Sequence, residues 1–326
     1  MIEMEEKDME IECSIDFNSI MNGAYGELTI GDNIYILGRL DRNIRGNKGG
    51  NSWVMKMFQQ DSDPENDPPA KIIKINKSNY FTDDGKIDRR NNKRIDGEIA
   101  ALNSCKAQSA KYVISIDSDG VLKNTLRKDG KIVSASYRFY TMEVAEFDLK
   151  QYMEKFQSDM DFIGRINVCK ELTKALNELY LNGYYHRDIK PDNFFFIEDE
   201  GWKVGDLGLS QNRKTDKIID GKYEFVGPKG WTSPETMNKH IVKEGDKRYD
   251  RIIDEKSDIF QLGMVFWYVM QGNAPIGCIM EKDFHYANHS LYILIRLMVS
   301  HDKSYRPKDF QSIIDRLDQI IDRELF

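Results

Sequence analysis

The chain has 326 residues, 40% of them hydrophobic, enough to bury a large core in one two-lobed domain or in two separate ones. Charged residues make up 31%, and 54 acidic against 47 basic side chains leave a net charge of -7, which argues against a protein built mainly to neutralise nucleic-acid phosphates. Cys13, Cys105, Cys169 and Cys278 lie far apart with no pair at metal-ligand or redox spacing, so they read as free thiols of a reducing compartment.

The N-terminus MIEMEEKDME is acidic where a secretory signal needs a basic start, and no run approaches the roughly 20 apolar residues of a bilayer span. A cytoplasmic address without a membrane partner is therefore expected. Residues 1 to about 30 read as an extension of uncertain fold, with strand-like alternation from Ile11 to Phe17 and a turn at Asn22-Gly23. From Tyr35 to Ile75 the β-prone runs YILG, WVMKMF and AKIIKI, separated by polar loops, predict an antiparallel meander. Residues 93–105 look helical, and YVISI and RFYTMEVA restore strand character. Beyond Glu146 helices dominate. In DFIGRINVCKELTKALNELYLNG, Ile163, Ile166, Cys169, Leu172, Leu176 and Leu179 recur at three- and four-residue steps, and Asn182-Gly183 supplies a stop. IFQLGMVFWYVM (259–270) is apolar almost all round, a buried helix too short to span a membrane, and LYILIRLMV and SIIDRLDQII complete a helical half.

The segment HRDIKPDN (186–193), directly after the amphipathic helix, and KVGDLG (203–208) resemble the catalytic loop and metal-binding turn of the eukaryotic-type protein kinases. Six fixed residues of HRDxKPxN would arise by chance in roughly one in 10⁵ chains of this length. The resemblance runs from about residue 35 to the end and implies an α+β bilobal protein-kinase fold. On that reading, a small antiparallel N-lobe sheet with one main helix occupies 31–144, a larger helical C-lobe occupies 145–326, and 1–30 precedes them.

Transfer of a phosphoryl group leaves the protein little covalent work and much positioning and charge neutralisation. The resemblance accordingly implies that Asp188 orients a substrate hydroxyl and accepts its proton, and that Lys190 faces the migrating phosphoryl group. Asn193 and Asp206 supply the hard oxygen ligands that Mg²⁺ prefers. The cofactors implied are ATP and Mg²⁺; the partners implied are protein substrates, the chain itself among them, with no nucleic acid.

Arg187 resembles the arginine that, in a subset of the family, pairs with a phosphorylated activation segment. Ser210, Thr215 and Tyr223 are the hydroxyls available to carry that phosphate, with a constitutively ordered loop as the alternative. GPKGWTSPE (227–235) resembles the end of the activation segment. It implies a buried ion pair of Glu235 with Arg306 in SYRP, and Asp258 in SDIFQLG matches a buried aspartate that accepts backbone N–H bonds from the catalytic loop and caps the central helix.

On the nucleotide side the resemblance puts Lys74 of AKIIKIN at the α- and β-phosphates with Glu98 of the following helix as its ion-pair partner, Lys71 being the rival lysine. KGGNSWVMK (48–56) is a degenerate Gly-rich loop in which Gly49 and Gly50 allow close backbone approach to phosphate and Val54 takes the family's valine position. Met142, Glu143 and Ala145 fit the segment joining the lobes at the adenine edge, and Ile72 and Phe195 join the residues expected around the nucleotide. Leu207 replaces the usual Phe of the metal-binding turn, where it would stack with His186 and Leu102. Pro228 stands where Ser/Thr kinases carry a threonine. WTSPE is closer to tyrosine kinases, whereas Lys190 is characteristic of Ser/Thr kinases, so the expected activity is a Ser/Thr protein kinase. The alternatives are a dual-specificity or Tyr kinase and a catalytically weak pseudokinase scaffold; a small-molecule kinase lacks support because of the SPE-type segment.

Overall fold

A computed structural model describes residues 9–40, 51–80, 90–128, 130–215, 220–221, 224–243, 245–275 and 277–325. Gly49, Gly50 and Tyr223 lie outside the described residues. The chain divides into two compact units: Met1–Asn103 with Ser115–Val144, and Ser104–Ile114 with Ala145–Phe326.

In the first unit, β1 (Met9–Cys13), β2 (Gly26–Ile30), β3 (Asn33–Arg39), β4 (Ser52–Gln59), β5 (Lys71–Asn76), β6 (Ile116–Lys128) and β7 (Lys131–Met142) form one seven-stranded sheet in the order β1-β6-β7-β5-β4-β3-β2. Every pairing is antiparallel except β1 with β6. The period of two sends Trp53, Met55, Met57, Ile73, Ile75 and Phe139 to one face. They join Ile11, Ile15, Leu28 and Leu37, with Phe17 and Ile20 of the short helix α1 (Phe17–Met21), in one buried cluster. Burying an aliphatic or aromatic side chain of this size contributes about 1.5–3 kcal/mol. Phe17, Trp53 and Tyr137 meet there with ring centroids 5.1 to 5.9 Å apart.

Residues 9–30 are thus part of the sheet and its core, not an appendage to them. The alternation from Ile11 to Phe17 is not one strand: β1 stops at Cys13, and the Asp16 carboxylate accepts from the backbone of Asn18 and Ser19 to start α1. Two residues of β6 make the attachment. Gly120 faces Met9 so closely that a Cβ there would stand 2.2 Å from the Met9 carbonyl oxygen. The Asn124 side chain, buried, accepts from the Ile15 N–H at 2.8 Å and donates to the Ile15 carbonyl at 2.9 Å.

The opposite face of the sheet meets α2 (Arg90–Ala107), whose Asp96 and Glu98 bond to Arg138 and Tyr140 of β7. Arg138 also holds Asp119 of β6 at 2.8 Å. Of YVISI, only Ile116 lies in a named strand; Val113 forms an isolated bridge to Val204.

The second unit is mainly helical: α3 (Leu149–Phe156), α4 (Phe162–Leu181), α5 (Pro234–Ile241), α6 (Glu255–Gln271), α7 (His289–Met298) and α8 (Phe310–Leu325). Between them run the short strands β8 (Phe147–Asp148), β9 (Tyr184–Tyr185), β10 (Phe194–Ile197), β11 (Gly201–Val204) and β12 (Gln211–Asn212). Leu172, Leu176 and Leu179 of α4 are buried, and the helix ends at Asn182 before Gly183, which takes a φ of +97°. Helix α6 is buried nearly all round and packs against α4 and α7. The four cysteines are free. Among the described residues no helix is long and apolar enough to cross a membrane.

Candidate active site

Between β9 and β10 of the second unit the chain leaves regular structure to form the loop 186–193, and its shape is imposed from below by α6. Asp258, buried in the first turn of that helix, accepts the His186 N–H and the Arg187 N–H, both at 2.8 Å. One turn further on, Gln261 accepts the Ile189 N–H at 2.9 Å. These bonds hold Arg187 in the left-handed region, φ 70°, a conformation that costs an L-residue about 1–2 kcal/mol. Asp258 does not cap α6, however. Asp254, four residues earlier, is the N-cap and forms a capping box with Ser257.

The constrained loop delivers Asp188 into a ring of polar groups. Asn193 donates from Nδ2 to the Asp188 carbonyl at 2.7 Å and to its carboxylate at 3.0 Å, and Lys190 Nζ stands 3.3 Å from the same carboxylate. Committing the Asn193 amide nitrogen to Asp188 turns its Oδ1 the other way. Asp206 follows Gly205 at φ 54°, and its negative charge lies near enough to raise the proton affinity of both Asp188 and Lys190. Asp188, Lys190, Asn193 and Asp206 thus converge within this unit. Burial, followed by the opposing effect of Lys190 and the added push of Asp206, raises the Asp188 pKa to about 6.

His186 ties the loop to the turn. Its Nε2 lies 3.1 Å from the Gly205 carbonyl and its Nδ1 accepts the Asp188 N–H at 3.2 Å, which fixes the Nε2–H tautomer. Burial lowers its pKa to about 4 and keeps the ring neutral. Leu207 is buried beyond it, and the Phe195 ring lies against Gly205.

In the first unit, Lys74 Nζ meets both Glu98 carboxylate oxygens at 2.8 and 3.0 Å. The Tyr140 hydroxyl donates to the same carboxylate at 3.0 Å, and its ring lies 5.8 Å from the ammonium. The rival Lys71 is bound to Asp117. In register, Val54 pairs with Lys74, Lys74 with Tyr140 and Ile72 with Met142, so these five side chains share the sheet face that carries α2. Glu143 and Ser115 exchange two bonds at the end of β7, and Ala145 begins the second unit's main stretch.

The segment from Asp206 to Glu235 is pinned at several points. Strand β12 pairs with β9, and Arg213 stacks 3.6 Å from the centroid of Tyr180 and donates to its carbonyl. At the far end Glu235 and Arg306 form the expected buried pair, at 2.7 and 3.0 Å. Between these anchors the Arg187 guanidinium binds the Asp220 carboxylate, which also accepts from Lys239 Nζ at 2.9 Å. Sequence reasoning missed Asp220, Gln261 and Tyr140. Gln261 was findable from its three-residue offset from Asp258 on one helix face, and Tyr140 from strand register; Asp220 carries no local signal.

Residues 72–324 match the family of the protein kinase domain, and the chain belongs to that family. It is similar to the tyrosine kinase receptor Cad96Ca of Drosophila melanogaster, 28% identical over 48% of this chain and 20% of the relative. It also resembles mouse dual specificity protein kinase TTK, 23% identical over 57% of this chain and 20% of the relative. The serine/threonine-protein kinase cds1 of Schizosaccharomyces pombe is 33% identical over 36% of this chain and 26% of the relative. The aligned parts span less than a third of each of these curated relatives.

Proposed function

We propose that the chain transfers the γ-phosphoryl group of Mg·ATP to Ser and Thr hydroxyls of protein substrates, itself among them. The observation that carries this reading is the Asp188 carboxylate, set between Lys190 and Asn193 with the Asp206 charge beside it. Asp188 orients the attacking hydroxyl and takes its proton as the new P–O bond forms; the bond from the γ-phosphorus to the β,γ-bridging oxygen breaks and ADP leaves. Lys190 follows the phosphoryl charge. Asn193 Oδ1 and the Asp206 carboxylate are the donors for Mg²⁺, which supplies charge neutralisation on the phosphates when bound. Asn193 fits that task because its amide nitrogen is already engaged.

Lys74, steadied by Glu98, is assigned to the α- and β-phosphates, and Val54, Ile72 and Met142 to the adenine, with Glu143, Ala145, Phe195 and the Gly49-Gly50 loop completing the nucleotide set. A cytoplasmic address fits four free thiols. Incubating the purified protein with γ-labelled Mg·ATP and a generic basic protein, then mapping phosphosites, should show label on Ser and Thr. Label confined to Tyr would reverse the hydroxyl preference, and nucleotide binding without transfer would leave the pseudokinase scaffold.

The pH dependence follows from Asp188. Its pKa is raised, so the carboxylate needed to accept a proton is present above pH about 6 and lost as the pH falls through that value. The kcat/KM of the wild type should therefore fall about tenfold per pH unit below this point. A profile flat down to pH 5 would contradict that assignment.

A further inference from the structure

We propose that Asp220 is the built-in anion for Arg187, a positioning residue that holds the catalytic loop in its working geometry without phosphorylation of the 206–235 segment. The inference rests on the kinase reading above and adds how its site is regulated. The guanidinium of Arg187, the residue next to Asp188, and the carboxylate of Asp220 are both buried, their side chains only 3% and 2% exposed. A second cation, Lys239 of α5, binds the same carboxylate oxygen at 2.9 Å. Burial alone would raise the Asp220 pKa, but Arg187 and then Lys239 outweigh it and hold the group below its ordinary value, ionised.

A buried arginine next to a catalytic carboxylate needs an anion. A phosphate added to the segment would supply one, and Asp220 already does, with two cations on one carboxylate. The segment also touches the loop a second time. Gly227, at φ +123°, brings its backbone so close to Arg187 that a Cβ there would lie 3.3 Å from the Arg187 carbonyl oxygen. Arg187 is thus held by Asp258 at its amide and by Asp220 at its side chain, with Gly227 packed close to its carbonyl. Its left-handed backbone sets the direction in which Asp188 leaves the loop.

The test compares wild type, Asp220→Asn and Asp220→Glu, each stripped of phosphate by a phosphatase and verified by intact mass. Unphosphorylated wild type should transfer phosphate at its full rate with no lag. Asp220→Asn should lose at least tenfold in kcat with KM for ATP changed less than twofold, and Asp220→Glu, which keeps the charge, should recover part of that loss. A wild-type rate that climbs tenfold as Ser210, Thr215 or Tyr223 acquires phosphate overturns the proposal, as does an Asp220→Asn variant as fast as wild type. Hydrogen exchange gives a readout independent of turnover: the amides of His186, Arg187 and Ile189 should exchange faster in Asp220→Asn than in wild type or Asp220→Glu. If wild type transfers no phosphate at all, the kinase reading is what fails. The exchange comparison then decides the anchor alone, and equal protection in all three proteins rejects it.

Discussion

Asp188→Asn is expected to lower kcat by about 10²–10⁴-fold, the range a positioned general base supplies, while KM for ATP changes little. The asparagine is isosteric. It leaves untouched the bonds that shape the loop, from Asp258 to the amides of His186 and Arg187 and from Gln261 to Ile189. What it removes is the negative charge facing Lys190 and the oxygen able to take up a proton. Because the role proposed for the lost group is toward the hydroxyl and not the nucleotide, the defect should appear in single-turnover chemistry. The acid limb of the pH profile should vanish with it. Asp206→Ala should be at least as damaging if, as proposed, it removes an oxygen donor to Mg²⁺, whereas retention of more than a tenth of the wild-type rate in either variant would refute the proposed roles. Unchanged circular dichroism is the control.

The loop residues were legible because their chemistry is written contiguously. HRDIKPDN places a carboxylate, an ammonium and an amide within eight positions, and one irregular turn is enough to bring them together. Lys74 against Lys71 was not decidable that way, since both lie on one strand and only the pairing of β5 with β7 sets Lys74 beside Tyr140 and under Glu98. Asp220 was illegible for a stronger reason. It is one of three acidic residues between Leu207 and Pro234, 33 positions from Arg187, and its role exists only once the chain folds back.

The same distinction governs the fold. Helices α4, α6, α7 and α8 announce themselves by apolar spacing over 10 to 20 residues, and the strands β3 to β5 by short β-prone runs between polar loops. The attachment of residues 9–30 has no such signature. Its strand is five residues long and pairs in parallel with one more than 100 positions away, through a glycine and an asparagine inside β6. Residues 117–128 are largely polar, yet they make up most of β6, the longest of the described strands, because β7 and β1 flank it on both edges. Non-local pairing of this sort outweighs propensity, and a single sequence does not display it.

Arg306→Ala is expected to destabilise the second unit by about 3–5 kcal/mol, measured by chemical or thermal unfolding, because it strands a buried carboxylate. Neither partner is reachable by solvent, with side chains 0% and 2% exposed. The guanidinium does more than pair with Glu235. It donates to the carbonyls of Ser300 and Lys256 at 2.8 Å, and to that of His301 at 3.3 Å, and stacks 4.9 Å from the Phe260 ring centroid. Arg306→Lys should therefore recover little, since one ammonium cannot reproduce a planar fork that serves four acceptor groups. Glu235→Gln should cost less than Arg306→Ala, because the amide still accepts one bond and the arginine keeps its three carbonyls. Acid titration separates the two effects. Burial would raise the Glu235 pKa, but Arg306 and Ser257 outweigh it and hold it below the ordinary 4.5. Its contribution to stability is accordingly complete above that ordinary value and is lost as the pH falls through the lower folded one. Wild type should show this acid-side loss and Glu235→Gln should lack it. Identical acid limbs in the two proteins would mean that the pair contributes geometry to the end of the segment and no net electrostatic stability.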